Sequence, residues 1–452
     1  MIARGEVSSI DVVDAHLARI DEVNPRLNAI VRRLDASARD AAAAADRAVA
    51  DGAPLGPLHG VPMTVKENID LAGAPTTSSL VAFAEAVVDV DAPVVARMRA
   101  AGAIPIGRTN LPDLGLRVFT ESSLHGITRN PWNGERTAGG SSGGEGAAIA
   151  AGMSPIGLGN DLGGSLRNPA HCCGIASIKP SAGVVPAASV LPPENPSMGF
   201  QLMGVEGVMA REVADVRAGL LAVAGADVRD PDALPVQLSG LDHSRPLRVA
   251  LLAEPPAGST HPGVAAAIRR AADALSDAGA DVVEASPATY ERAIELWSAI
   301  LTVDIREQME LLAMVMGDGG RTFLGYADEV APPSSLSDYA VHLTERAGVA
   351  KDFHRFLHDH DVLLTPTWTI PAPPHGFDIA SLEGGQATFE AMRPVLPANL
   401  LGLPAAVVPV GFADGLPVGA QLTARRFGDL VALDVAQMIE DALGRVTPID
   451  PR

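Results

Sequence analysis

Two serines sit in glycine-rich turns 24 positions apart, in Gly139-Gly140-Ser141-Ser142-Gly143-Gly144-Glu145-Gly146 and in Asp161-Leu162-Gly163-Gly164-Ser165-Leu166-Arg167. Glycine lets a backbone turn sharply and approach a ligand closely, as a hydroxyl nucleophile and nearby N–H donors must do to attack and hold a carbonyl. In the second turn the backbone N–H groups of Leu162, Gly163 and Gly164 can be aimed at one point beside the Ser165 hydroxyl, which suits an oxyanion hole. The plain alternative for this segment is a tight strand-to-helix turn capped by Ser165. A base is also needed, and Lys66 is the candidate. Only Lys66, Lys179 and Lys351 are lysines among 34 basic residues. Arginine keeps its proton, whereas burial can leave a lysine neutral. A lysine in an arginine-using chain therefore marks a candidate general base, with chance as the competing explanation.

Other chemistries fit the two turns less well. A flexible linker is rarely followed directly by an apolar helix such as Ala147-Ala148-Ile149-Ala150. The phosphate-loop ending Gly-Lys-Ser/Thr is missing, and Gly157-Leu158-Gly159 does not complete a dinucleotide fingerprint. Gly139-Gly140-Ser141-Ser142-Gly143 does match the Gly-x-Ser-x-Gly nucleophile elbow of α/β-hydrolases, with histidines downstream to complete a triad. The elbow requires a strand before it, and Trp132 to Ala138 reads as polar and irregular. His354, His358, His360 and Asp361 have a spacing suited to a metal, but a solvated helix face explains them more simply. His171 and Cys172-Cys173 follow Ser165 closely; a small buried thiol is most often core.

The elements that must position these residues alternate between helix and strand. Ser8 is placed to cap a helix with apolar positions Ile10, Val13, Leu17, Ile20 and Val23, ending near Pro25. A second helix spans Asp35 to Ala50, and a short apolar strand, Met63-Thr64-Val65, carries Lys66 at its end. A helix opened by Pro93 and closed by Gly102 precedes a strand from Ala103 to Ile106. The first glycine turn runs into a helix to Gly152, and a strand from Pro155 to Leu158 leads to the second. Later strands are expected at Leu247–Leu252, Asp281–Glu284, Val362–Leu364, Ala405–Val410 and Val418–Thr423, with helices at Pro262–Ala278 and Leu430–Leu443. The alternation predicts an α/β fold with one large domain spanning residues 1–452. Proline-rich stretches at Pro186–Pro196 and Pro366–Pro374 read as surface or pocket-lining loops, too short to be convincing interdomain linkers.

Composition bounds the function. A net charge of −20 disfavours nucleic acid and anionic membranes, and no Lys/Arg cluster offsets it. The opening residues lack the apolar core of a secretory signal, so the expected location is the cytoplasm. Adjacent Cys172 and Cys173 exclude a disulfide framework.

Lys66, Gly139-Gly140-Ser141-Ser142-Gly143-Gly144 and Gly159-Asn160-Asp161-Leu162-Gly163-Gly164-Ser165-Leu166-Arg167-Asn168-Pro169-Ala170 together resemble the amidase signature family. The match is strongest from about Leu58 to Ser181, and looser similarity continues through Leu363-Leu364-Thr365-Pro366-Thr367 and Gly415-Leu416-Pro417-Val418-Gly419. The resemblance implies a mixed central sheet covered by helices on both faces. It also implies a nucleophile at Ser165, a cis-peptide relay at Ser141 and a base at Lys66, with Ser142 hydrogen-bonding near the lysine and Asp161 and Arg167 supporting the turn. It brings the expectation of amide hydrolysis through an acyl-enzyme, with a small-molecule amide as substrate and no metal or organic cofactor. The same family contains glutaminase subunits of transfer-RNA amidotransferases, which are the alternative; an esterase or a non-catalytic binding protein is more remote. The chain departs from the family's habits at Glu67, Ala138 and Asn160. It also looks shortened before Gly5-Glu6-Val7-Ser8, which bears on any homodimer contact. The acyl pocket is expected to be built by loops outside the two glycine turns, around Phe119–Leu124, Val190–Phe200 and Trp297–Met314.

Overall fold

Fifteen strands are described in a computed structural model that covers residues 1–191, 196–331 and 334–452. The undescribed residues include part of the predicted Pro186–Pro196 and Val190–Phe200 loops. In chain order the strands are β1 (Ile30–Arg33), β2 (Pro62–Lys66), β3 (Ile104–Thr109), β4 (Glu121–Ser122), β5 (Gly126–Ile127), β6 (Arg129–Asn130), β7 (Asn133–Thr137) and β8 (Ile156–Asp161). They continue with β9 (Ala176–Lys179), β10 (Val205–Ala210), β11 (Arg248–Leu251), β12 (Asp281–Glu284), β13 (Val362–Pro366), β14 (Ala405–Ala413) and β15 (Leu416–Ala424). Eleven of them form one sheet in the order β1-β3-β2-β8-β10-β9-β14-β15-β13-β11-β12. The sheet is mixed: β2 runs parallel to β3 and β8, and β11 parallel to β12 and β13, while β10, β9, β14 and β15 join these two parallel groups through antiparallel pairs. β4–β5 and β6–β7 are separate two-stranded ribbons.

Successive strand residues point to opposite faces, so a strand buried on both sides feeds two cores. Val249 and Leu251 enter one apolar cluster and Ala250 another. Helices Pro93–Ala100, Val213–Val223, Pro262–Asp277 and Asp429–Leu443 cover the first face. Helices Ser9–Leu27, Asp35–Ala50, Gly143–Ala150 and Arg167–Cys173 cover part of the other, and Tyr290–Arg306 and Leu336–Asp359 the rest.

Most expected elements are present, and the differences have local causes. The first helix is capped by Ser8, whose side chain accepts from the Asp11 N–H, but it continues past Pro25 to Leu27. Proline costs little there because only the last turn loses a bond. The helix stops where Asn28 adopts φ 52°, with the Asn24 side chain accepting from the Ala29 and Ile30 N–H groups. The segment before Ser141, expected to be irregular, contains β7. This strand carries no apolar alternation because it lies outside the large sheet, pairing with β6 on one side and bridging through Arg136 to Pro374 on the other. Among the described residues no helix is long and apolar enough to cross a membrane.

Candidate active site

Met63 and Val65 are buried in one core, so alternation turns Thr64 and Lys66 toward the opposite face, where helix Gly143–Ala150 packs. Thr64 there donates to Glu145, as does Thr109 at 2.6 Å. The Lys66 ammonium, fully buried at the end of β2, donates to Ser141 Oγ at 2.8 Å and to Asn160 Oδ1 at 2.6 Å. Burial pulls Lys66 down to about 7, against the opposing pull of Glu206, Asp161 and Glu145. Burial likewise raises the Glu145 and Glu206 carboxyls to about 7.

The Gly140–Ser141 peptide is cis, and glycine is needed on both sides of the Ser141 hydroxyl. A Cβ at Gly140 would lie 2.6 Å from the Val118 carbonyl carbon, and one at Gly115 would lie 3.2 Å from Ser141 Oγ. The next residue joins the two turns: the Ser142 N–H donates to the Ser165 carbonyl at 3.1 Å. Its hydroxyl reaches the Asn160 carbonyl at 3.5 Å rather than Lys66 itself.

The second turn is built around Asp161. Its carboxylate accepts from the Gly164 N–H at 2.8 Å, the Leu166 N–H at 3.0 Å and, in a two-pronged pair, Arg167 Nη2 at 2.8 Å and Nε at 3.0 Å. Burial opposes ionisation, but the Arg167 charge and these bonds hold the Asp161 carboxyl well below the usual carboxylate range. Arg167 also donates to the Val395 carbonyl and to Gln421, and Asn399 donates to Asp161 at 2.9 Å.

Of the three N–H groups expected to face a substrate oxygen, Gly164 is engaged by Asp161. Among the described residues, Leu162, Gly163 and Ser165 have no acceptor for theirs. Ser165 is buried, and its hydroxyl has no hydrogen-bond partner among the described residues either.

Trp297 lies against this turn. Its indole N–H donates to the Leu162 carbonyl at 3.0 Å, and a Cβ at Gly163 would fall 2.6 Å from its ring. The Trp297–Met314 segment, anticipated as a loop, is mostly two helices. Trp297 belongs to an apolar cluster with Phe119, Met203, Met392 and Val395, and Leu162 and Phe200 pack on it.

A strand does precede Ser141, but the Ser141 hydroxyl is met by Lys66 rather than by the histidine that the elbow reading requires. His171 has both ring nitrogens engaged, Nδ1 accepting from the Gly419 N–H and Nε2 facing the Ile370 carbonyl, and burial lowers it to about 4. Cys172 and Cys173 are buried with their thiols pushed up by desolvation, as core residues. Among the described residues no group of three or more His, Cys, Asp or Glu side chains could hold a metal ion. Asn160 as the second acceptor for Lys66 is a residue that sequence reasoning missed; its one signal there was its departure from the family's habit at that position.

The family model described as Amidase matches residues 11–433. The chain belongs to the amidase signature family. It is 41% identical to an indoleacetamide hydrolase of Bradyrhizobium diazoefficiens over 98% of this chain and 85% of that protein. It is also 33% identical to a glutamyl-tRNA(Gln) amidotransferase subunit of Chloroflexus aggregans, over 99% and 94% of the two chains. Among solved structures it superposes on a 6-aminohexanoate cyclic dimer hydrolase with a TM-score of 0.83 at 31% identity, covering 98% of this chain and 95% of that one. A bacterial aryl acylamidase of the same family gives 0.84 at 26% identity, covering 98% and 94%. This amidase signature chain is accordingly an amidohydrolase with the family's large mixed sheet.

Proposed function

We propose that this chain hydrolyses a carboxylic amide bearing a flat, apolar acyl group, of the arylacetamide class, through an acyl-enzyme on Ser165. The observation that carries the reading is the 2.8 Å hydrogen bond between buried Lys66 and Ser141, in a turn bonded directly to the Ser165 backbone. A lysine poised at about 7 is partly neutral at neutral pH. In that form its lone pair takes the Ser141 proton while Ser141 takes the Ser165 proton, and Ser165 Oγ bonds to the substrate carbonyl carbon. The oxygen that becomes negative is received by the N–H groups of Leu162, Gly163 and Ser165. The relay then reverses, the C–N bond breaks as nitrogen is protonated, and water arriving by the same route releases the acid. Every step uses these side chains and water alone.

The apolar cluster of Trp297, Phe119 and Met203, with Trp297 against the second turn, supports an aromatic acyl group, as does the substrate in the name of the Bradyrhizobium relative. Fluorophosphonate labelling followed by peptide mapping tests the nucleophile: the adduct belongs on Ser165, and an adduct on Ser141 would reverse the assignment. Turnover of indole-3-acetamide and simple arylacetamides, compared with aliphatic amides, tests the acyl group. The similarity to amidotransferase subunits over nearly the whole chain favours a second reading, a glutaminase delivering ammonia to a partner. Preferred turnover of glutamine, with a co-purifying second subunit, would establish that reading instead.

A further inference from the structure

The acyl-transfer relay makes no use of Glu206, although this acid lies beside the base. Glu206 on β10 is the direct antiparallel partner of Asn160 on β8, and directly opposed residues send their side chains to the same face. Asn160 is the residue that receives Lys66 at 2.6 Å through Oδ1, while its Nδ2 donates to Asn68 Oδ1 at 3.1 Å. Glu206 is partly exposed as a residue, yet its Oε2 is buried and has no hydrogen-bond partner among the described residues. An unpartnered buried carboxyl oxygen is costly to keep, so its position calls for a compensating interaction.

The other acids acting on Lys66 are already engaged. Asp161 is paired with Arg167, and Glu145 accepts from Thr64 and Thr109. Glu206 exerts the strongest of the three pulls toward the lysine's charged form. In return Lys66 and the Asn160 amide favour its ionised form, which burial and Asp70 oppose.

We propose that Glu206 is a positioning residue for the Lys66–Ser141 pair, its carboxylate steadying the Asn160 amide that receives Lys66 and supplying the counter-charge to the ammonium. The inference rests on Lys66 being the base. Lys66 and Glu206 then share their charge state: while Glu206 is ionised the lysine holds its proton more firmly, and when Glu206 is protonated the lysine releases its own more readily. Asn160 conveys the position of the carboxylate to the amine.

The test is the rate of fluorophosphonate labelling at Ser165 across the neutral pH range, which reads the ionisation of the base independently of substrate binding. Glu206→Gln removes the negative charge at constant shape, so the acid limb of the profile is expected to move to lower pH by about one unit. Glu206→Asp, which keeps the charge, is expected to hold the limb near its original position and guards against a fold defect in the first variant. A limb unmoved in folded Glu206→Gln, with Lys66→Ala abolishing labelling, overturns the inference alone. Labelling of Lys66→Ala at the unaltered rate overturns the base assignment together with it.

Discussion

At the residue scale, the proposed chemistry depends on how deeply Lys66 is buried. Desolvation lowers its pKa to about 7, and the proposed relay uses the neutral amine. The sign follows: kcat/KM for an arylacetamide should rise with pH through about 7 and level off on the alkaline side, as the amine loses its proton. Lys66→Ala should lower kcat/KM by about 10²–10⁴-fold with an unchanged circular dichroism spectrum; activity near that of the parent would remove Lys66 from the mechanism. The thiols behave in the opposite sense. Cys172 and Cys173 are buried and held protonated, so the folded protein should take up no iodoacetamide and keep its activity, with both cysteines alkylated after unfolding. Mass measurement before and after denaturant decides this.

At the element scale, the second glycine turn combines a special backbone with tight packing. Gly164 has φ 99°, and a Cβ there would lie 2.8 Å from the Val395 side chain. Gly164→Ala should therefore displace the turn and lower kcat by about 10²–10³-fold, the usual cost of a lost oxyanion donor. Steady-state kinetics on a folded variant would measure it, and a near-normal kcat would show that the turn tolerates a side chain. These turns and the strand carrying Lys66 were legible in the sequence because their signals are local: glycine spacing, a scarce lysine and a short apolar run. The Glu206–Asn160 pairing was not, because it is set by β8 and β10 lying side by side, with the paired positions 46 apart in the chain. β7 was missed for a related reason: its inward positions, Gly134, Arg136 and Thr137, are not apolar, so its alternation leaves no hydrophobic signal. Trp297 reaches the site from a helix 135 positions beyond Leu162, and no spacing rule connects the two.

At the scale of the whole molecule, the Asp161–Arg167 pair is a junction between distant parts of the chain. Both side chains are fully buried, and Arg167 extends the contact to Val395, Asn399 and Gln421. Arg167→Met, which leaves Asp161 as an uncompensated buried charge, should cost about 3–5 kcal/mol in urea unfolding. A loss within the error of the measurement would show that the pair is dispensable. Because the folded Asp161 carboxyl lies below its ordinary value of 3.8, its stabilising contribution is complete above that pH and is lost as pH falls below it. All three residues assigned to catalysis lie between positions 66 and 165, whereas the groups clasping Arg167 stand at 395, 399 and 421. A ribosome making this protein amino-end first thus exposes the whole reactive set long before it has made the clasp, and the nascent enzyme should stay silent until the final part of the chain has emerged.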